Sequence, residues 1–156
     1  MRRPLLCLSL ILALLSGCAS VGTGPDNLGA AVPGSAVLAQ GNRMVEDGEI
    51  IRGACWDYID TAYKRAGFPE AKRKVVFKSK KAGPYADASL IQPGDWLYHI
   101  NHSYKNIEHS GIFVEWEDRS AKQGRTLSYA GEKRREPGRY RVYDLRSVYQ
   151  ITRPRP

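Results

Sequence analysis

Gly53-Ala54-Cys55-Trp56-Asp57-Tyr58-Ile59-Asp60 is the stretch that decides the fold. Gly53 and Ala54 make a tight turn, and Cys55 stands in the first turn of the helix that follows. Apolar or aromatic residues recur at Cys55, Tyr58, Ile59, Ala62, Tyr63 and Ala66, the spacing of one buried helix face. Gly67 supplies the stop signal, and Pro69 forbids simple continuation. A thiol at such a helix start meets unpaired backbone N–H groups and the positive end of the helix dipole. Both favour the thiolate. Cys55 is therefore the candidate nucleophile, and His109 is the candidate base.

Upstream, Met1-Arg2-Arg3 precedes an almost unbroken apolar run from Leu5 to Leu15. That run is too short to span a bilayer comfortably and has the form of a secretory signal core. It ends in Leu15-Ser16-Gly17-Cys18, which resembles the bacterial lipoprotein processing box. An ordinary signal peptide with a small-residue cleavage site is the plainer alternative. The lipoprotein resemblance implies a signal peptide over residues 1–17 and acylation of Cys18. Ala19 stands where an Asp would signal inner-membrane retention, so the implied location is the outer membrane, facing the periplasm. Several acyl chains anchor stably where one is marginal.

The chain has three cysteines. Cys7 lies in the leader and Cys18 would carry lipid, so Cys55 alone remains in the exported domain. It has no disulfide partner in a compartment that favours disulfides. Such a leftover cysteine is either buried and inert or a reactive thiol. The formal net charge of +8 falls to +6 once Arg2 and Arg3 leave with the leader. A basic balance suits anionic surroundings such as wall polymer or lipid head groups. A nucleic-acid partner does not fit an exported lipoprotein.

Residues 18–34, rich in Gly, Ala, Pro and Asn, form a flexible tether, and 35–156 are long enough for one compact domain. Ser35 is placed to cap a short helix from Ala36 to Glu46, which Gly41 interrupts. Val75-Val76-Phe77, flanked by lysines and an arginine, has the pattern of a guarded edge strand. From Asp95 the period becomes that of strands: Trp96–Ile100, His109–Trp116, Arg125–Ala130, Arg139–Leu145 and Val148–Thr152. Helices first and then a run of antiparallel strands is the α+β pattern.

Three pieces now stand in order: Gly-Ala-Cys-Trp opening a helix, Pro93-Gly94-Asp95 opening a strand, and His109-Ser110-Gly111-Ile112-Phe113-Val114 opening the next. From about Arg52 to Gly131 the chain resembles the NlpC-type cell-wall peptidases and the related CHAP amidases, both papain-like cysteine hydrolases. The resemblance implies a papain-like α+β domain, with N-terminal helices packed on an antiparallel β-sheet. It implies Cys55 as nucleophile and His109 as base. Setting Leu127-Ser128-Tyr129-Ala130 against the family's third catalytic position puts Tyr129 there, with Ser128 and Glu132 as alternatives. Trp56, Trp96 and Ser110 are then candidate substrate contacts. The departures are Trp56-Asp57, where the family has small residues after the cysteine, and the lack of any tyrosine before Cys55.

The implied activity is thiol hydrolysis of amide bonds in peptidoglycan stem peptides, because a thiolate–imidazole pair supplies a nucleophile stronger than water near neutral pH. No cofactor is implied. His99 and His102, two intervening residues apart, could suggest zinc together with His109 and Cys55, but the set lacks the paired close-spaced ligands of a zinc motif, so no metal is expected. Asp95 is expected to brace its turn and not to act as a catalytic acid. Two rivals share the fold. One is a non-catalytic envelope lipoprotein that binds wall fragments or a protein partner. The other is a transferase or lipid-directed hydrolase.

Overall fold

The computed structural model describes residues 32–156. The leader, Cys18 and nearly all of the tether lie outside the described residues. Among the described residues, two α-helices, α1 (Pro33–Glu46) and α2 (Cys55–Arg65), precede six strands. These are β1 (Arg73–Lys78), β2 (Trp96–Asn101), β3 (Ile107–Asp118), β4 (Gln123–Ser128), β5 (Arg139–Asp144) and β6 (Val148–Pro154). Every pairing is antiparallel, and the order across the open sheet is β1-β6-β2-β3-β4-β5. The domain is a small α+β unit in which both helices pack against the sheet.

Each face of the sheet carries its own apolar cluster. On one face, Trp96, Ile112 and Leu127 meet Val37 and Met44 of α1 and Tyr58, Ile59 and Tyr63 of α2. On the other, Leu97, Phe113 and Ile151 meet Tyr143 and Leu145, with Ala86 and Ile91 from the loop before β2. Trp96 and Leu97 are neighbours on β2, and Ile112 and Phe113 are neighbours on β3. Strand alternation therefore assigns successive residues to different cores.

The start of α1 differs from the expectation. Helix α1 begins at Pro33, with Val32 before it and no side-chain cap, so Ser35 lies inside the helix. Proline suits a first helical position because its missing N–H would have no partner there. Gly41 does not interrupt this helix. A Cβ at Gly41 would lie 2.5 Å from the Leu127 side chain, so glycine lets α1 settle on β4. A Cβ at Gly34 would lie 2.2 Å from the Pro93 carbonyl oxygen, which brings the same helix onto the turn before β2.

That turn, Pro93-Gly94-Asp95, is the hub of the fold. Gly94 has φ +87°, a left-handed conformation that favours glycine. Its N–H donates to the Phe113 carbonyl at 2.8 Å, and the Phe113 N–H donates to the Asp95 carbonyl at 2.8 Å. Tyr63 of α2 donates its hydroxyl to the Gly94 carbonyl at 2.6 Å. The Asp95 carboxylate is fully buried and takes two hydrogen bonds from Arg153 of β6, at 2.7 and 2.8 Å. The Gln92 N–H adds a third at 2.8 Å. Asp95 thus braces the turn.

Removing one member of such a pair strands the other charge, at a cost of about 3–5 kcal/mol. Arg153→Met is expected to lose about that much stability in urea unfolding. The double variant Arg153→Met/Asp95→Leu is expected to lose less than Arg153→Met alone. Equal or greater loss in the double variant would show that the pair is not the brace described.

Candidate functional site

Cys55 opens α2, and the chain around it is clamped from β4. Gly53, at φ +112°, turns the backbone into the helix. Asp57, in the first turn, accepts from the Ala54 N–H at 2.7 Å and so ties down the helix start. The loop after β4 completes the clamp. The Glu132 N–H donates to the Gly53 carbonyl at 2.9 Å, and the Tyr129 hydroxyl donates to the Ile51 carbonyl at 2.7 Å. Tyr129 is buried and stacks on Tyr58 of α2 at 4.6 Å between ring centroids.

Cys55 is a free, partly exposed cysteine. It borders a recess of about 170 Å³ together with Trp56, Tyr98, Glu108, His109, Ser110 and Tyr149. Trp56 is 47% exposed, and its indole N–H donates to the Tyr98 hydroxyl at 3.1 Å. Tyr98 stacks on Trp96, and Tyr149 leans on Tyr98 with ring centroids 6.3 Å apart. At the rim, the Glu108 carboxylate accepts from the Tyr149 hydroxyl at 2.6 Å and pairs with Lys81. The Lys81 bond and then the Tyr149 bond hold the Glu108 carboxyl below its usual range.

The expected partner of Cys55 is the residue whose placement differs most from the sequence expectation. On β3 the residues from Ile107 to Ile112 pair with β2 without a bulge, so their side chains alternate strictly. Ile112 lies in the helix-side core, and Ser110 shares its face. His109 belongs with Gly111 and Phe113 on the opposite face. The ring contacts agree: His109 meets His99 at 5.6 Å and Tyr143 at 5.3 Å between centroids. Tyr143 is a member of the second core. His109 borders the Cys55 recess where β3 passes beneath it, but its imidazole is turned to the other side of the sheet. The register therefore does not supply the thiolate–imidazole pair anticipated for Cys55 and His109.

The other candidates separate in the same way. Ser110 faces the recess, is 3% exposed, and its hydroxyl has no hydrogen-bond partner among the described residues. Trp96 is 2% exposed and lies in the core behind Trp56, so it offers no surface to a ligand. Tyr129, matched by resemblance to a histidine-orienting residue, spends its hydroxyl on the Ile51 carbonyl and lies on the helix side, away from the His109 ring. Sequence reasoning missed Tyr98, Glu108 and Tyr149. A period-two count from Ser110 puts Glu108 on its face, but only the pairing of β2 with β3 and β6 brings Tyr98 and Tyr149 there.

On the second face, the ring nitrogens Nε2 of His99 and His109 and the Thr126 hydroxyl are buried without partners among the described residues. His102 lies apart, with Nδ1 facing Asn106 at 2.9 Å and Nε2 facing Ser147 at 2.8 Å. Among the described residues, no group of three or more His, Cys, Asp or Glu is arranged to hold a metal. No family model, curated protein or solved structure matches this chain.

Burial pushes His99 down to about 3, with His109 adding to the effect. Burial, then the charge of Arg141, pushes His109 down to about 4. Both lie below the unfolded value of about 6.5. Between those limits the unfolded chain binds protons that the fold refuses. Stability is therefore full above pH 6.5 and falls as pH drops toward 4, by up to about 1.4 kcal/mol per pH unit for each histidine. Urea midpoints from pH 7 to 4 should follow that slope, and His99→Leu should remove about one proton from it. A pH-independent midpoint across this range would contradict the burial of both rings.

Proposed function

We propose that this chain is a cell-envelope lipoprotein whose papain-like, NlpC-type domain binds fragments of the peptidoglycan wall in the Cys55 recess. The lipid anchor at Cys18 would hold the domain at the outer membrane, within reach of the wall. One observation carries the preference for binding over hydrolysis: β3 turns Ser110, and not the His109 ring, toward Cys55. A thiol needs a base to attack an amide, and that base must lie within hydrogen-bond reach. Glu108, the recess carboxylate, is held ionised below its usual range and so takes up a thiol proton poorly. What the recess does offer is aromatic surface and, at its floor, a buried hydroxyl without a partner among the described residues.

Thiol hydrolysis of stem peptides is the second reading. It keeps Cys55 at the start of α2, in a recess that His109 borders. It would require an imidazole on the helix side of β3, where alternation puts Ser110.

Two measurements separate the readings. Purified peptidoglycan should retain the protein in a sedimentation assay, and Cys55→Ser should be retained equally well. Trp56→Ala should weaken retention by about tenfold or more, as loss of an exposed aromatic anchor does. Alkylation of Cys55 by iodoacetamide should have the same pH profile in the wild type and in His109→Ala. Release of stem peptides by the wild type and not by Cys55→Ser would replace binding with hydrolysis.

A further inference from the structure

The recess is asymmetric in its chemistry. One side is aromatic: Trp56 presents half its surface to solvent, with Tyr98 and Tyr149 behind it. The floor carries Ser110, a residue 3% exposed whose hydroxyl is buried without a partner among the described residues. A hydroxyl both donates and accepts, and a buried one left unpaired costs free energy. The rim carries the Glu108 carboxylate, which already takes a bond from Tyr149 and pairs with Lys81. Cys55 adds only a weak donor.

These features restrict the occupant. The volume of about 170 Å³ suits one ring-sized group seated in the recess. Flat aromatic walls favour a ring with an apolar face, such as the C–H face of a pyranose. The paired Glu108 carboxylate at the rim keeps lone pairs that can accept from a hydroxyl-bearing group. The buried hydroxyl on the floor calls for a compact neutral group that can both accept and donate, which describes an amide.

We infer that the Cys55 recess takes a single N-acetylated amino sugar, its pyranose against Trp56 and its acetamido group on Ser110. This rests on the binding function proposed above and assigns the recess to the glycan of the wall instead of its peptide. Ser110 is then the residue that distinguishes an acetamido sugar from a plain one. Trp56 supplies affinity without that discrimination.

The test uses the full-length chain in detergent and three probes: a β-1,4-linked N-acetylglucosamine tetramer, cellotetraose, and a free wall stem peptide. Titration calorimetry should show the acetylated tetramer binding and cellotetraose binding roughly two- to tenfold more weakly, the value of one neutral hydrogen bond. Ser110→Ala should lower the acetylated tetramer to the cellotetraose level and leave cellotetraose unchanged. A purely structural role for Ser110 would weaken both sugars together. Equal affinity of the two sugars in the wild type, or equal loss of both in Ser110→Ala, overturns the inference. Stem-peptide binding without sugar binding overturns it too but leaves the wall-binding function standing. Failure of all three probes, with no retention on whole peptidoglycan, removes both.

Discussion

The pairing of Asp95 with Arg153 is the interaction on which the rest of the fold depends. Burial pushes the Asp95 carboxyl upward, while Arg153 and the Gln92 N–H pull it back, and Asp95 in turn raises Arg153. The pair joins the start of β2 to β6 at the centre of the sheet. Around it, Gly34 brings α1 onto the turn, Tyr63 ties α2 to the Gly94 carbonyl, and Phe113 ties in β3. A buried pair of this kind adds little net stability over an apolar packing of the same volume. Its use here is positional: it fixes where β2 begins, and therefore which residues of β2 and β3 stand opposite one another.

That register has direct consequences for the site. With Trp96 opposite Ile112, Tyr98 falls opposite Ser110 and His99 opposite His109. The Tyr98–Ser110 pair lies under the start of α2 and borders the Cys55 recess. The His99–His109 pair lies on the far side, among Tyr143 and the second core. Because the side-chain period of a strand is two, a displacement of one residue would exchange these sets. The brace at Asp95 thus separates a partly exposed thiol from a buried imidazole only one strand layer away.

Much of the architecture was legible because its signals are local. Gly67 after a helical face, Pro93-Gly94-Asp95 before a strand, and the β-branched and aromatic runs each act on their own few residues. The boundaries of α2 and the positions of all six strands followed from them to within a few residues. Gly41 was misread because its role is not local. It admits Leu127 from a strand more than eighty positions later, and a glycine whose purpose is close approach looks in sequence like a helix breaker. Tyr129 was matched to a catalytic position by resemblance, whereas its hydroxyl holds the backbone just before the Cys55 turn.

By itself, the sequence determined the class of fold, the helix that Cys55 opens, the turn that starts the sheet, and a single free thiol in the domain. These depend on backbone preference, periodicity and composition, which act over a few residues. Only the tertiary structure decided what Cys55 faces. That outcome depends on which strands pair and in which register, set by a buried ion pair between residues 95 and 153 and by glycines that let helix and strand approach. Of His109-Ser110-Gly111, one register would turn the histidine toward α2 and the other turns the serine there. Here the register presents the serine to the recess.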